Sequence, residues 1–450
     1  MDTPTSQQAN HLENMSVAMN VARDWVLQAL GLLLYKLTRW LVVTLQKFTW
    51  AVWGIERVRR DARRGLQFKQ SAHVQEVLWR RKHGDCSVAG IRDFITKHKG
   101  FKHPSTILRP NVSLYCLTRH DAVFVETPEG KDVYSGGPLY LRQFQLAQYV
   151  ITMPLASFHK TASDVGAPRV PVTWLSSTPR SGSTLLANVL GSAPHMRVLH
   201  EPDALTCLGT LVRDGALPAG EYSQLLISAV ELLCKPDDRC GALLIKARPC
   251  VTKMMEDVYP AFPHARYLFL YRNSLKTLSS CLAVSSDDPA YRALRVVLDS
   301  QVLSTVFPCA RKWLYAALAG INEKPTAALR PSHLTASGIA TAAWAASVSR
   351  CAEMRDRGIP VRALLYEDIM RNTQAACHEL FKLLELRSEY VSEAMQVFRK
   401  DFNRSQPVPH ADSRRALPQE ARQEADMVLK KHGLPKLGER VELSGLIKFE

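Results

Sequence analysis

Residues 178–190, TPRSGSTLLANVL, follow the apolar run VPVTWLSS and lead into a segment with helical spacing of apolar residues. A strand ending near Ser176, a turn shaped by Pro179 and Gly182, and a helix opened by Ser183 and Thr184 would form an anion site. The first-turn N–H groups of such a helix have no intrahelical acceptor, and its dipole favours negative charge. Ser181, Ser183 and Thr184 add hydroxyl donors and Arg180 adds a cation. A plain strand–helix turn without a ligand has the same outline. An ATP-hydrolysing loop needs a Lys directly before its Ser/Thr and a strand ending in a metal-holding Asp. Neither is evident here, which leaves a P-loop kinase-like phosphotransferase as the weakest reading.

Three other stretches carry groups able to work on such an anion. YLFLYRNSLKTLSS ends a strand at Arg272 and places Ser280 eight residues later. Two helical turns separate them, so guanidinium and hydroxyl can converge on one phosphate. LLIKARPC ends a strand at Lys246, with Arg248 beyond it. A lysine there points toward the ligand crevice of an open α/β sheet. VLHEPDAL supplies two candidate bases, Glu201 and His200. A carboxylate among cations stays ionised, which limits its basicity unless burial raises its pKa. Histidine titrates nearer neutrality. Glu201 is favoured, His200 is its rival, and the bland alternatives are a packed histidine and a surface lysine.

PRSGSTLL after a strand resembles the 5′-phosphosulfate loop of sulfotransferases that use 3′-phosphoadenosine 5′-phosphosulfate (PAPS), most closely the Golgi and tyrosylprotein branches. The resemblance implies that Arg180, Ser181, Gly182, Ser183 and Thr184 hold the 5′-phosphosulfate, and that Arg272 and Ser280 hold the 3′-phosphate. It implies Glu201 as catalytic base and Lys246 as the cation on the leaving phosphate or sulfuryl oxygens, with Arg248 nearby for the acceptor. VRALLYEDIMRNTQAACHELFKLLEL is similar to the family's YEDL segment, in which Tyr366, Glu367 and Asp368 are structural. FNRSQPVP, with Arg404 and Ser405, lies where the family covers its nucleotide, although it matches poorly. The likeness runs over roughly residues 170–405. The function it implies is in-line transfer of the sulfuryl group from PAPS, as co-substrate, to a hydroxyl acceptor, carbohydrate or tyrosine-like, without a metal. A catalytically silent scaffold of the same fold, binding nucleotide or polyanion, is the alternative.

These groups need a framework. VPVTWLS, GALLIKA, ARYLFLYR and VRALLYE are short apolar runs separated by helical stretches. That alternation predicts an α/β fold, a parallel sheet flanked by helices. By resemblance it is the P-loop NTPase-like sulfotransferase fold, with an N-terminal α+β extension. The expected organisation is a flexible N-terminus (1–24), a membrane-associated helix (25–55), a basic extension (56–168), the transferase domain (169–405) and a tail (406–450). Within the extension, 56–104 reads as basic helices and loops, and SLYCLTRH and AVFVETP as a hairpin. LYLRQFQLAQYVITMPLASFHKTA reads as a helix broken or kinked at Pro154.

The formal charge of +16 on 450 residues calls for an anionic partner such as a nucleotide, an acidic polymer or a membrane surface. No nucleic-acid partner is expected. Residues 56–109 hold 14 Lys/Arg against 5 Asp/Glu, so +9 falls outside the quoted turn. Residues 25–55 are too long, and too far from the start, for an ordinary cleaved signal peptide. Gln28, Lys36, Arg39, Gln46 and Lys47 fall within roughly a 100° arc of that helix. Such a helix lies in the headgroup region, spans with its cations snorkelling or facing a partner, or packs on the protein's own core. The family implies the Golgi. The arginines after residue 56 favour a cytosolic C-terminal side instead, against a lumenal catalytic domain. Ten cysteines show no metal spacing; Cys234 and Cys240 either bridge or stay free. Sequons occur at Asn14, Asn111 and Asn403.

Overall fold

The computed structural model describes residues 6–84, 87–218, 220–287, 297–298, 300, 302, 308–322, 333–400 and 417–449. A long helix, α1 (Ser6–Val52), turns at Gly54 into α2 (Ile55–Arg63). The helix starts at Ser6, so most of the stretch expected as a flexible N-terminus continues it.

An antiparallel sheet follows: β1 (Ala72–Arg80), β2 (Phe94–Lys102), β3 (Val112–Leu117), β4 (Asp121–Glu126) and β5 (Tyr149–Pro154), in spatial order β2-β1-β5-β4-β3. The expected hairpin is β3–β4. Two expectations are corrected here. Residues 56–104, read as helices and loops, contain β1 and β2. In β2 exposed Lys97 and Lys99 alternate with partly buried Thr96 and His98. Charge on an edge strand hides its two-residue period while discouraging edge-to-edge pairing. The supposed kinked helix is α3 (Leu139–Leu146), then β5, then α4 (Leu155–Val165). The run YVIT, an aromatic followed by three β-branched residues, outweighs helical spacing, and β5 pairs with both β1 and β4.

The second sheet is wholly parallel. Along the chain come β6 (Val172–Ser177), α5 (Ser183–Leu190), β7 (Met196–His200), α6 (Asp203–Arg213), α7 (Glu221–Leu233), β8 (Ala242–Lys246), α8 (Met254–Val258), β9 (Arg266–Tyr271), α9 (Ser274–Asp287) and β10 (Val361–Leu365). Their order is β10-β9-β6-β8-β7. From central β6 the chain runs to edge strand β7, returns to β8 beside β6, and then crosses to β9 and β10 on the other side. The C-terminal end of β6 is therefore a topological switch point, where open α/β sheets bind ligands.

One face of this sheet buries Trp174, Tyr267, Phe269 and Tyr271 in a core continuous with Tyr115 and Phe124 of the antiparallel sheet. The other face buries Leu175, Leu268 and Leu270 against Leu186 and Leu190 of α5. The extension is thus packed onto the parallel-sheet half by a shared core. The expected tail is also part of the fold. Ala363 N donates to Gly445 O and Ile447 N donates to Ala363 O, each at 3.0 Å, which adds the C-terminal segment beside β10.

Candidate active site

The turn after β6 is an unusual backbone path. Thr178 N donates to Leu270 O at 2.9 Å, holding the turn to β9. Arg180 has φ 55°, and Gly182 has φ 87°. Glycine is required at 182 on two counts: the left-handed backbone, and the Tyr366 ring carbon 2.5 Å from where a Cβ would sit. Ser183 and Thr184 open α5, whose first-turn N–H groups lack intrahelical acceptors. Ser181 differs from expectation: its buried hydroxyl donates to Thr178 O at 2.8 Å and braces the turn. Its backbone, not its hydroxyl, is what it can offer an anion.

At one end of this turn Arg180 joins Arg272 and Ser280, which the sequence pairs without it. Arg180 Nε donates to Ser280 Oγ at 3.2 Å, and Arg272 Nη1 donates to Arg180 O at 3.3 Å. Arg272 Nε is buried and makes no hydrogen bond, with Glu367 Oε1 3.9 Å away. An unsatisfied guanidinium N–H beside a hydroxyl is suited to a phosphate oxygen. The YED segment holds this corner. The Tyr366 ring lies 5.0 Å below the Arg272 guanidinium. The Glu367 carboxylate accepts from Asn273 N at 3.2 and 3.3 Å. Asp368 binds Arg440 through two hydrogen bonds of 2.9 and 2.7 Å. Trp344, which sequence reasoning missed, donates its indole N–H to Arg272 O at 3.0 Å.

At the other end lie a cation and a carboxylate. Lys246 Nζ donates to Glu201 Oε1 and to Thr184 Oγ1, the latter at 3.3 Å. Glu201, with φ 52°, follows β7 directly and is fixed by its N–H on Lys246 O at 2.7 Å. Arg248 Nε lies 3.6 Å from Glu201 Oε2 and 2.9 Å from Asp203 Oδ1. Its guanidinium sits 4.4 Å above the Tyr140 ring of α3. Burial pushes the Glu201 carboxyl up, but Lys246 and Arg248 outweigh it and hold the group at about 2. His200 is pushed down to about 4 by burial and by Lys246, so it is neutral at pH 7. Asp203 is fully buried, and its Oδ2 accepts from Ala89 N at 2.8 Å.

A cavity of about 1130 Å³ opens beside this pair, lined by Arg180, Thr184, His200, Glu201 and Lys246 on one wall. The opposite wall comes from the extension, through residues 129–138 and Tyr140. Arg197 props that loop, its guanidinium 4.6 Å above the Tyr134 ring and 2.6 Å from Asp237. Sequence reasoning left the role of residues 56–168 open. The one available signal was the punctuated stretch SGGP ahead of an aromatic pair of turns, too general to use.

Arg404 and Ser405 lie outside the described residues, as does Asn403. Asn111 Nδ2 donates to Thr127 O at 2.9 Å, so that sequon's amide is part of the fold. Cys234 and Cys240 are free thiols. Among the described residues no group of three or more His, Cys, Asp or Glu side chains is arranged to hold a metal.

No protein-family model matches the sequence, and no curated protein matches it. Among solved structures, the chain is similar to the sulfotransferase domain from the curacin biosynthetic pathway, with 16% identity, 60% of this chain and 100% of that chain covered, and a TM-score of 0.32. It is similar to a sulfotransferase from Mycobacterium avium, with 13% identity, coverage of 62% and 81%, and a TM-score of 0.34. A sulfotransferase from Alicyclobacillus acidocaldarius gives 13% identity, coverage of 59% and 93%, and a TM-score of 0.34. At that level of likeness the chemistry rests on the site's own residues: a strand–loop–helix anion cradle at the switch point of a parallel sheet, with cations at both ends.

Proposed function

We propose that this site transfers the sulfuryl group of PAPS to a hydroxyl acceptor. The observation that carries the reading is the pair of poles on one cradle: Arg180, Arg272 and Ser280 at one end, Lys246 and Glu201 at the other. A donor with a phosphate at each end of its ribose matches two separated cation sites better than a linear triphosphate does.

The roles follow from position. Arg272 and Ser280 take the 3′-phosphate, with the unsatisfied Arg272 Nε as one donor. The turn's N–H groups take the 5′-phosphate, and Arg180, bonded to Ser280, lies between the two phosphates. Lys246, carried to the crevice by β8, neutralises charge growing on the leaving phosphate oxygen. The acceptor oxygen forms a bond to sulfur as the bond from sulfur to the bridging phosphate oxygen breaks. Its proton passes to a base, and 3′,5′-adenosine bisphosphate leaves. Positioning and charge stabilisation carry the rate.

Glu201 is the base in this reading. Held by Lys246 and Arg248 in the absence of donor, its carboxylate is weakly basic. Once Lys246 shares its charge with the donor, the pull that lowers the Glu201 pKa weakens and burial works the other way. The same ion pair suits a silent nucleotide-binding scaffold, which would keep Lys246 and Glu201 locked together. Transfer of labelled sulfate from PAPS to a panel of glycans, tyrosine peptides and small alcohols separates the two. Turnover on any member, lost in Lys246→Ala, supports the enzyme; tight bisphosphate binding with no transfer across the panel supports the scaffold.

A further inference from the structure

Three polar residues of α1, Tyr35, Arg39 and Gln46, face this protein, and a run of its large apolar residues faces outward. Tyr35 OH donates to Arg92 O at 3.1 Å, Arg39 Nε donates to Phe94 O at 3.2 Å, and Gln46 Nε2 donates to Thr96 O. These carbonyls run along the start of β2, the free edge of the antiparallel sheet. Trp50 closes the same seam, edge-on to His73 at 5.1 Å and under the Arg59 guanidinium at 5.1 Å. Arg39 and Gln46 of the polar stripe, with Tyr35, therefore satisfy an edge strand that would otherwise present unpaired carbonyls.

The opposite face is uncovered. Trp40, Leu45 and Phe48 are 64%, 65% and 69% exposed, and Leu30, Leu37 and Leu41 join them on one apolar arc. Thr44, a hydroxyl within that arc, donates to Trp40 O of its own helix at 2.8 Å. Lys36 and Lys47 are exposed and flank the arc, placed to snorkel. Beyond the helix the apolar surface continues in Trp53 and Leu66, 74% and 72% exposed, at either end of α2. α2 itself exposes Arg57 and Arg60, with Arg64 just after it. A large apolar face rimmed by cations is complementary to anionic lipid headgroups over hydrocarbon.

A transmembrane crossing is inconsistent with this packing. Val26–Val52 is long and apolar enough to cross. Crossing needs about 20 residues within hydrocarbon. From Tyr35 to Gln46, in the middle of that stretch, α1 is bonded side by side to β2 and its approach, and β2 exposes Lys97 and Lys99. A crossing would carry these lysines and the sheet edge into the bilayer. Lying in the plane of the interface exposes no such group.

We infer that α1 is an in-plane membrane-binding helix that seats its outward face in one leaflet of an anionic bilayer without crossing it. The inference does not depend on the transferase reading. With no crossing, the arginines after residue 56 set lipid preference rather than orientation. The N-terminus and the crevice then lie on the same side of the membrane.

The test uses the full chain and vesicles of phosphatidylcholine, with or without phosphatidylserine. Flotation is expected with the anionic vesicles. Leu37→Glu, Leu41→Glu and Leu45→Glu together are expected to weaken it by about tenfold or more. Arg57→Glu, Arg60→Glu and Arg64→Glu together are expected to remove the preference for phosphatidylserine. Both sets change exposed side chains, so the thermal midpoint should hold. In sealed membranes from expressing cells, an N-terminal epitope tag and the catalytic half should share one fate under added protease. Opposite fates would show a crossing and overturn the inference. So would flotation unchanged by the leucine substitutions, or a detergent-free dimer that they abolish while wild type ignores vesicles.

Discussion

The Tyr366 ring occupies the space that any side chain on Gly182 would need, its Cε2 atom 2.5 Å from a Cβ built there. The two residues stand at the same corner because β10 delivers Tyr366 beneath the turn that β6 delivers above it. Arg272, at the end of β9 between them, stacks on that same ring. Gly182→Ala should therefore disturb the cradle twice, by collision and by left-handed backbone strain of about 1–2 kcal/mol. A loss of tenfold or more in 3′,5′-adenosine bisphosphate affinity is expected by calorimetry. Adding Tyr366→Ala should recover only part of it, because the backbone strain remains.

Arg272→Ala and Ser280→Ala test the 3′-phosphate pole. Loss of a charge-assisted contact is worth about 1.5–3 kcal/mol, or roughly 10–100-fold for the arginine. The serine should cost less, about 3–10-fold. Both variants should lose discrimination between PAPS and adenosine 5′-phosphosulfate, which lacks the 3′-phosphate. Equal loss for both nucleotides would move the contact elsewhere.

Glu201→Gln should lower kcat by about 10²–10⁴-fold with a smaller change in KM, the range expected for a positioned proton acceptor. His200→Asn should keep kcat within about tenfold of wild type if the neutral imidazole is a wall of the cavity. The reverse ranking would exchange their roles.

Acid stability carries the sign of two depressed pKa values. His200 sits at about 4 in the fold against 6.5 for the ordinary group, so the unfolded chain takes up its proton first as pH falls. The stability it contributes is complete above 6.5 and is lost as pH drops toward 4. Glu201, at about 2 against 4.5, adds a second loss between those values. Thermal midpoints measured from pH 8 to pH 3 should fall accordingly. His200→Asn should flatten the upper part of the curve and Glu201→Gln the lower.

Asp203 is the deepest carboxylate near the crevice, accepting from Ala89 N and pairing with Arg248. Asp203→Ala removes the closest carboxylate of a buried arginine and leaves a backbone N–H unbonded. Destabilisation of about 3 kcal/mol is expected in denaturant unfolding.

The cradle was readable because its parts are local. Strands buried on both faces, such as ARYLFLYR, read as unbroken apolar runs. The turns at their ends therefore declared where Arg180, Lys246 and Arg272 would stand. β7, MRVLH, was missed because it is five residues long, lies at the sheet edge and carries Arg197. β2 was missed for a related reason, its lysines guarding an edge that α1 covers. The cavity's second wall depended on Tyr140 meeting Arg248 and on Arg197 stacking over Tyr134. Contacts between residues so far apart in sequence leave no period or motif to read. Likewise the polar arc of α1 was visible, but which side it faced was decided by the unpaired carbonyls of β2.

The most direct test of the proposed PAPS site is calorimetric titration of the full chain with 3′,5′-adenosine bisphosphate, beside adenosine 5′-monophosphate and ATP with magnesium. The bisphosphate should bind more tightly, without magnesium, and lose that advantage over adenosine 5′-monophosphate in Arg272→Ala. Tighter, magnesium-dependent binding of ATP, unaffected by Arg272→Ala, would contradict it.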